Sequence, residues 1–186
     1  MKCDCRCKGL ATGDDLKGDC RYLYIYPEMP ALDPPPLTEI WTNPGAEWTL
    51  FCNWMGPLID GKATLLRKGL KTDGTSIPRW AWRAFGHPFS LPVLAYALPH
   101  DGDYSAELVP RDEGDDRFLE GMAQDKHVCW VKRNGIWTAV RAGGGFVWNR
   151  HTPESISEAR KYCRIVGAEE YAVLCESRRL DITPDA

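Results

Sequence analysis

The residues with the clearest chemical potential lie together in Leu94-Ala95-Tyr96-Ala97-Leu98-Pro99-His100-Asp101-Gly102-Asp103-Tyr104. Read as a helix, this stretch is apolar up to His100. It puts His100 and Tyr104 on one face, with Asp101 about 100° round from the imidazole. An imidazole, a carboxylate and a phenol on an apolar element are costly to bury without partners. Two segments could supply them, Thr72-Asp73-Gly74-Thr75-Ser76-Ile77-Pro78-Arg79 upstream and the stretch from Arg111 to Leu119 downstream. An imidazole held by a carboxylate is a competent base near pH 7. One histidine among several carboxylates suits calcium or a similar hard divalent cation better than structural zinc. On that reading the candidate catalytic group is His100, Asp101, Asp115 and Tyr104, and Asp73, Asp101 and Asp115 are the candidate metal ligands. The other reading is a buried polar network that fixes the packing of a loop and two helices. Residue types and spacing leave both open.

The elements that must hold these groups divide into an early β region and a late α region. Arg21–Tyr26, Glu47–Trp54 and Lys62–Arg67 have the aromatic and β-branched content of strands. The turn residues of Met55–Gly61 make the last two a hairpin. Pro34-Pro35-Pro36 marks an extended connector. Asp73-Gly74 is a turn, and Pro78 opens a helix that ends at Gly86. Leu91, Leu94, Ala95 and Leu98 step at helical intervals, and Pro99 predicts a kink or break just before His100. In the helix from Arg111 to Gln124, stepping back from Leu119 and Phe118 lands on Asp115. That carboxylate therefore shares the apolar stripe, while Asp112, Asp116 and Glu120 face water. A further helix follows Val128, broken near Asn134-Gly135 and ended by Gly143-Gly144-Gly145. Thr152-Pro153-Glu154 opens a last one on Ile156, Ala159, Cys163 and Val166, closed by Gly167. Residues 168–180 form a helix or an edge strand. The expected architecture is α+β, a single domain in which a small antiparallel sheet from residues near 22–26, 48–54 and 62–67 packs against a helical C-terminal half.

Bulk composition narrows the class. With 44% hydrophobic and 26% charged residues over 186 positions, the chain can bury a core as one domain. A net charge of −3 with interspersed signs advertises neither nucleic acid nor an anionic membrane. No apolar run approaches the roughly 20 residues of a membrane span, and the N-terminus lacks a signal-peptide core. A cytoplasm is therefore the expected compartment, where the eight cysteines are free thiols. The spacing of Cys3, Cys5 and Cys7 fits zinc poorly, and no essential metal is expected there.

The segments Thr72–Arg79, His100-Asp101-Gly102-Asp103-Tyr104 and Arg111-Asp112-Glu113-Gly114-Asp115 with Phe118 resemble, in order, motifs written TDGASIPR, HDYLY and RxEADxxF. With Trp137–Arg141 through Gly145 as a closing AVR…G, the chain resembles the bacteriophage and prophage family called domain of unknown function 1353. The resemblance covers roughly residues 47–148, leaving residues 1–46 as a Cys- and Pro-rich extension with one strand and 149–186 as a C-terminal helical extension. Gly102 and Asp103 replace Tyr-Leu, which predicts a helix that ends early and opens to water. Gly114 replaces Ala, at a cost of about 1 kcal/mol to its helix. The family implies a phage origin, a location in the bacterial host cytoplasm or the virion, and other phage or host proteins as partners. It implies no reaction. The His-Asp-x-x-Tyr spacing also resembles that of secreted phospholipases, in which the His activates water and the Asp binds calcium. That resemblance implies His100 as the base, Asp101 as a metal ligand, and Asp115 or Asp73 as the orienter or second ligand. Two functions follow as expectations, a non-enzymatic virion, tail or host-interaction protein, and a metal-dependent hydrolase acting on the cell envelope or another ester or amide through His100.

Overall fold

The computed structural model describes residues 23–27, 32–33, 48–50, 52–72 and 93–177. Within them the strands are β1 (Leu23–Ile25), β2 (Leu32–Asp33), β3 (Trp48–Leu50), β4 (Asn53–Met55), β5 (Lys62–Leu66), β6 (Lys71–Thr72) and β7 (Cys163–Gly167). The helices are α1 (Leu94–Ser105), α2 (Arg111–Gln124), α3 (Trp130–Trp148), α4 (Pro153–Arg160) and α5 (Ala168–Ser177). Six strands early, and five helices late with β7 between the last two, make the fold of the described residues α+β, as expected. Asp73, the helix expected from Pro78, the Pro34–Pro36 connector and Cys3, Cys5 and Cys7 lie outside the described residues.

A four-stranded sheet runs β1-β4-β5-β7, and β2-β3-β6 form a second sheet. The β4–β5 hairpin forms, pairing Trp54 with Leu66, but the expected all-antiparallel sheet is in fact mixed, because β1 pairs with β4 in parallel. The stretch expected as one strand over 48–54 is two, β3 and β4, which serve different sheets. Strand alternation sets what each face buries. Thr64 and Leu66 of β5 turn toward α1, while Ala63 and Leu65 join Leu23, Met55, Val166 and Leu174 on the other face, under α5.

β7 departs most from the sequence reading, which continues the last helix through Val166. The helix does begin as expected. Thr152 accepts from the Ser155 amide in a capping box, and Pro153 stands in the first turn. It stops at Arg160, and Cys163–Gly167 pairs residue for residue with β5 instead. Arg164-Ile165-Val166 suits either state, and burying Cys163 and Val166 on opposite faces of the sheet decides for strand. Residues 168–177 are helix, the first of the two alternatives.

Four expected breaks in the helices do not occur. α1 runs on through Pro99 to Ser105. Gly102 neither ends it nor opens it to water, because a Cβ there would stand 2.7 Å from Leu66 Cδ2, so the glycine is what lets α1 lie directly on β5. α3 passes through both Gly135 and the triple glycine. Helical glycines are costly, and Gly144 offsets that cost by close approach, since a Cβ on it would lie 2.6 Å from the Tyr104 hydroxyl. α1, α2 and α3 share a core of Val93, Tyr96, Ala97, Phe118, Met122, Val128, Ile136 and Val140.

Candidate functional site

α1 and α2 face each other and exchange polar side chains. His100 and Tyr104, one turn apart on α1, both reach Asp115 on α2. His100 Nε2 stands 3.0 Å from Asp115 Oδ1, and the Tyr104 hydroxyl donates to the same oxygen at 2.5 Å. A carboxylate can only accept, so Nε2 carries the proton and Nδ1 is the imidazole's remaining basic nitrogen. The other carboxylate oxygen takes Arg141 Nη1 of α3 at 3.2 Å and lies 3.8 Å from Arg111 Nε. Arg111 also donates to the Tyr104 hydroxyl and to the Arg141 carbonyl, so it joins α2 to both neighbours. Asp115 is 0% exposed. Burial pushes its pKa up, but the hydrogen bonds from His100, Tyr104 and Arg141 and the charge of His100 more than offset this and hold it below the ordinary value. Burial, then the bond to Asp115, pushes the Tyr104 phenol up to about 12, so it stays a neutral donor.

Phe118 lies against the imidazole with ring centroids 4.9 Å apart, and Tyr104 does so at 4.3 Å. Trp148 meets Tyr104 edge-on. His100 also lines a cleft of about 20 Å³, with Pro57, Tyr96, Pro99, Asp103 and Arg117 among its walls. That is room for one water molecule.

The expected meeting of Asp115 and His100 is therefore present, and Asp115 sits on the buried stripe while Asp112, Asp116 and Glu120 are exposed. Asp101 faces elsewhere and accepts from Thr72 of β6. Asp73 lies outside the described residues. Among the described residues no group of three His, Cys, Asp or Glu is placed to hold a metal ion. As for the donor set, Asp115 is already engaged by two guanidinium groups, an imidazole and a phenol, which leaves it poorly suited to a cation.

A second buried pair is one that the sequence reading misses. Asp103 of α1, 2% exposed, receives Arg117 Nη1 of α2 at 2.5 Å and Thr64 Oγ1 of β5 at 2.8 Å. Arg117 reaches on to Thr64 and to the Lys62 carbonyl, tying both helices to the sheet. Burial raises the Asp103 carboxyl above its ordinary value, and Arg117 and Thr64 reverse this only in part. The positions three and four away from Arg117 are Glu113, Gly114, Glu120 and Gly121, so no apolar row marks it as buried. The reach of Arg141 to Asp115 is equally silent in sequence, since the two lie on different helices, whereas Arg111 stands one helical turn before Asp115.

No curated protein and no solved structure matches the chain. A family profile does match, over residues 48–140, which takes in β3 to β6, α1, α2 and most of α3. Both buried carboxylates and all their side-chain partners fall within that span except Arg141, one residue beyond it. By a match over half its length, the chain belongs to the protein family of unknown function DUF1353.

Proposed function

We propose that this protein is a phage-encoded, non-enzymatic component, virion- or tail-associated or directed at a host protein, in which the Asp115–His100 network is a structural fastener. The observation that carries the reading is the fully buried Asp115 carboxylate, saturated by donors from α1, α2 and α3. Such a network rigidifies a helix junction. The phage origin rests on the motif resemblance. Binding to other phage or host proteins then falls to surfaces outside the network.

A second reading has one specific observation in its favour. His100 is held in one tautomer by a carboxylate and lines a cleft with room for a water, the disposition of a general base in hydrolysis. Against it, the cleft that the described residues form beside His100 is small, about 20 Å³.

His100→Gln separates the two. On the structural reading the purified variant melts at a lower temperature than wild type, and neither protein hydrolyses ester or amide substrates prepared from cell envelopes. Hydrolysis by wild type that His100→Gln abolishes without lowering the melting temperature would establish the second reading and sink the first.

A further inference from the structure

The segment from Lys126 to Pro153 holds five Lys or Arg and no Asp or Glu, in a chain with 23 basic and 26 acidic residues. The acidic surplus therefore lies wholly outside it, and the whole-chain average hides a basic region built on α3. Only Ile136, Val140 and Gly144, one row of α3, are buried. The opposite row, Val131, Thr138, Ala142 and Phe146, is exposed and uncharged, with Val131 67% and Phe146 65% exposed. Trp130, 66% exposed, and Lys132 border this row on either side. The Arg150 guanidinium sits 3.7 Å from the centre of the Phe146 ring. Among the described residues, Lys126, Lys132 and Arg150 make no ion pair.

We propose that α3 is a peripheral docking surface for an anionic lipid bilayer. Trp130, Val131 and Phe146 enter the interface, and Lys126, Lys132 and Arg150 meet headgroup phosphates. Charge complementarity selects this occupant. A second copy would bring the same cations face to face. Single-stranded nucleic acid would find exposed rings only at the two ends of the helix, Trp130 and Phe146, with small residues and a valine between them where successive bases need rings to stack on. An anionic interface uses every exposed group: Trp and Phe at headgroup level, Val just below, cations on phosphate. Docking is peripheral, since no helix among the described residues is long and apolar enough to cross a membrane. The inference rests on neither His100 nor Asp115.

Flotation of the full chain with phosphatidylcholine vesicles, with and without phosphatidylglycerol, tests it. Binding should require phosphatidylglycerol and weaken with salt. Lys132→Glu with Arg150→Glu, and separately Val131→Ser with Phe146→Ser, should each lower the partition coefficient by about tenfold or more at an unchanged melting temperature. The proposal is overturned if phosphatidylglycerol adds nothing, or if either double variant floats like wild type. It is equally overturned if an oligonucleotide binds more tightly than vesicles, or if light scattering finds a dimer that Val131→Ser with Phe146→Ser dissociates.

Discussion

Asp103 and Asp115 are two carboxylates buried in the same helix–helix contact, and their surroundings push them in opposite directions. Asp103 sits where α1 meets both α2 and the sheet. Its cationic partner, Arg117, is 8% exposed and has a buried Nε without a hydrogen-bond partner among the described residues. Desolvation prevails there, and the carboxyl is raised. Asp115 is likewise closed to solvent, yet the side chains of Arg111 and Arg141 that reach it are 31% and 39% exposed and keep contact with water. It collects donors on both oxygens and is lowered. Solvent exposure of the carboxylate itself therefore does not decide its charge state, since both are closed to water and they shift in opposite directions. What matters is how many donors meet it, and whether those donors have themselves been stripped of water.

The sharpest way to break the comparison is to delete each carboxylate. Asp103→Ala leaves Arg117 buried and uncompensated and should cost about 3–5 kcal/mol. Asp115→Ala frees two arginines that can turn to solvent and should cost less, about 2–4 kcal/mol, by urea denaturation. Replacing the inner pair together, Asp103→Leu with Arg117→Met, should recover most of the first loss. If Asp115→Ala proves the costlier single change, the ranking by solvent access of the partners is wrong.

Gly144→Ala tests how tightly the Asp115 group is closed over. It drives a methyl into a hydroxyl held by Asp115 and should destabilise by about 1–3 kcal/mol, read from the melting temperature.

Acid titration should resolve the two carboxylates by sign. Below the ordinary value of 3.8, unfolded Asp115 binds protons that the folded group refuses, so its contribution is present above 3.8 and is lost as pH falls through the folded value. Folded Asp103 holds its proton above 3.8, so its contribution is present at and below 3.8 and is lost as pH rises through the raised folded value. Asp115→Asn should flatten melting temperature against pH below about 4, and Asp103→Asn should flatten it above about 4. The same window for both variants would refute the opposite shifts.

The smallest effect is expected at Gly114, beside Asp115 on α2. A Cβ there meets Val109 and Tyr104 at 3.6–3.8 Å, ordinary contact distances. Gly114→Ala should therefore stabilise by about 0.5–1 kcal/mol, with Asp115 undisturbed.

Several features of this molecule follow from residue order alone. The period of α2 marks Asp115 as buried, because a helix carries every third and fourth residue to one face whatever lies opposite. The reach of His100 and Tyr104 to one partner follows from their four-residue spacing, and the start of α4 from the chemistry of Thr152 and Pro153. All of these depend on neighbours within a turn or two. Other features needed the folded chain. Cys163–Gly167 is a strand because β5 offers it a partner nearly a hundred residues away in sequence. Glycines that read as helix breakers at 102 and 144 sit inside helices because another element lies too close for a side chain. Arg117, Asp103 and Arg141 look like surface charges until the elements beside them are in place. Local spacing determines which groups share a face, and only tertiary packing decides what that face meets and whether water remains beside it.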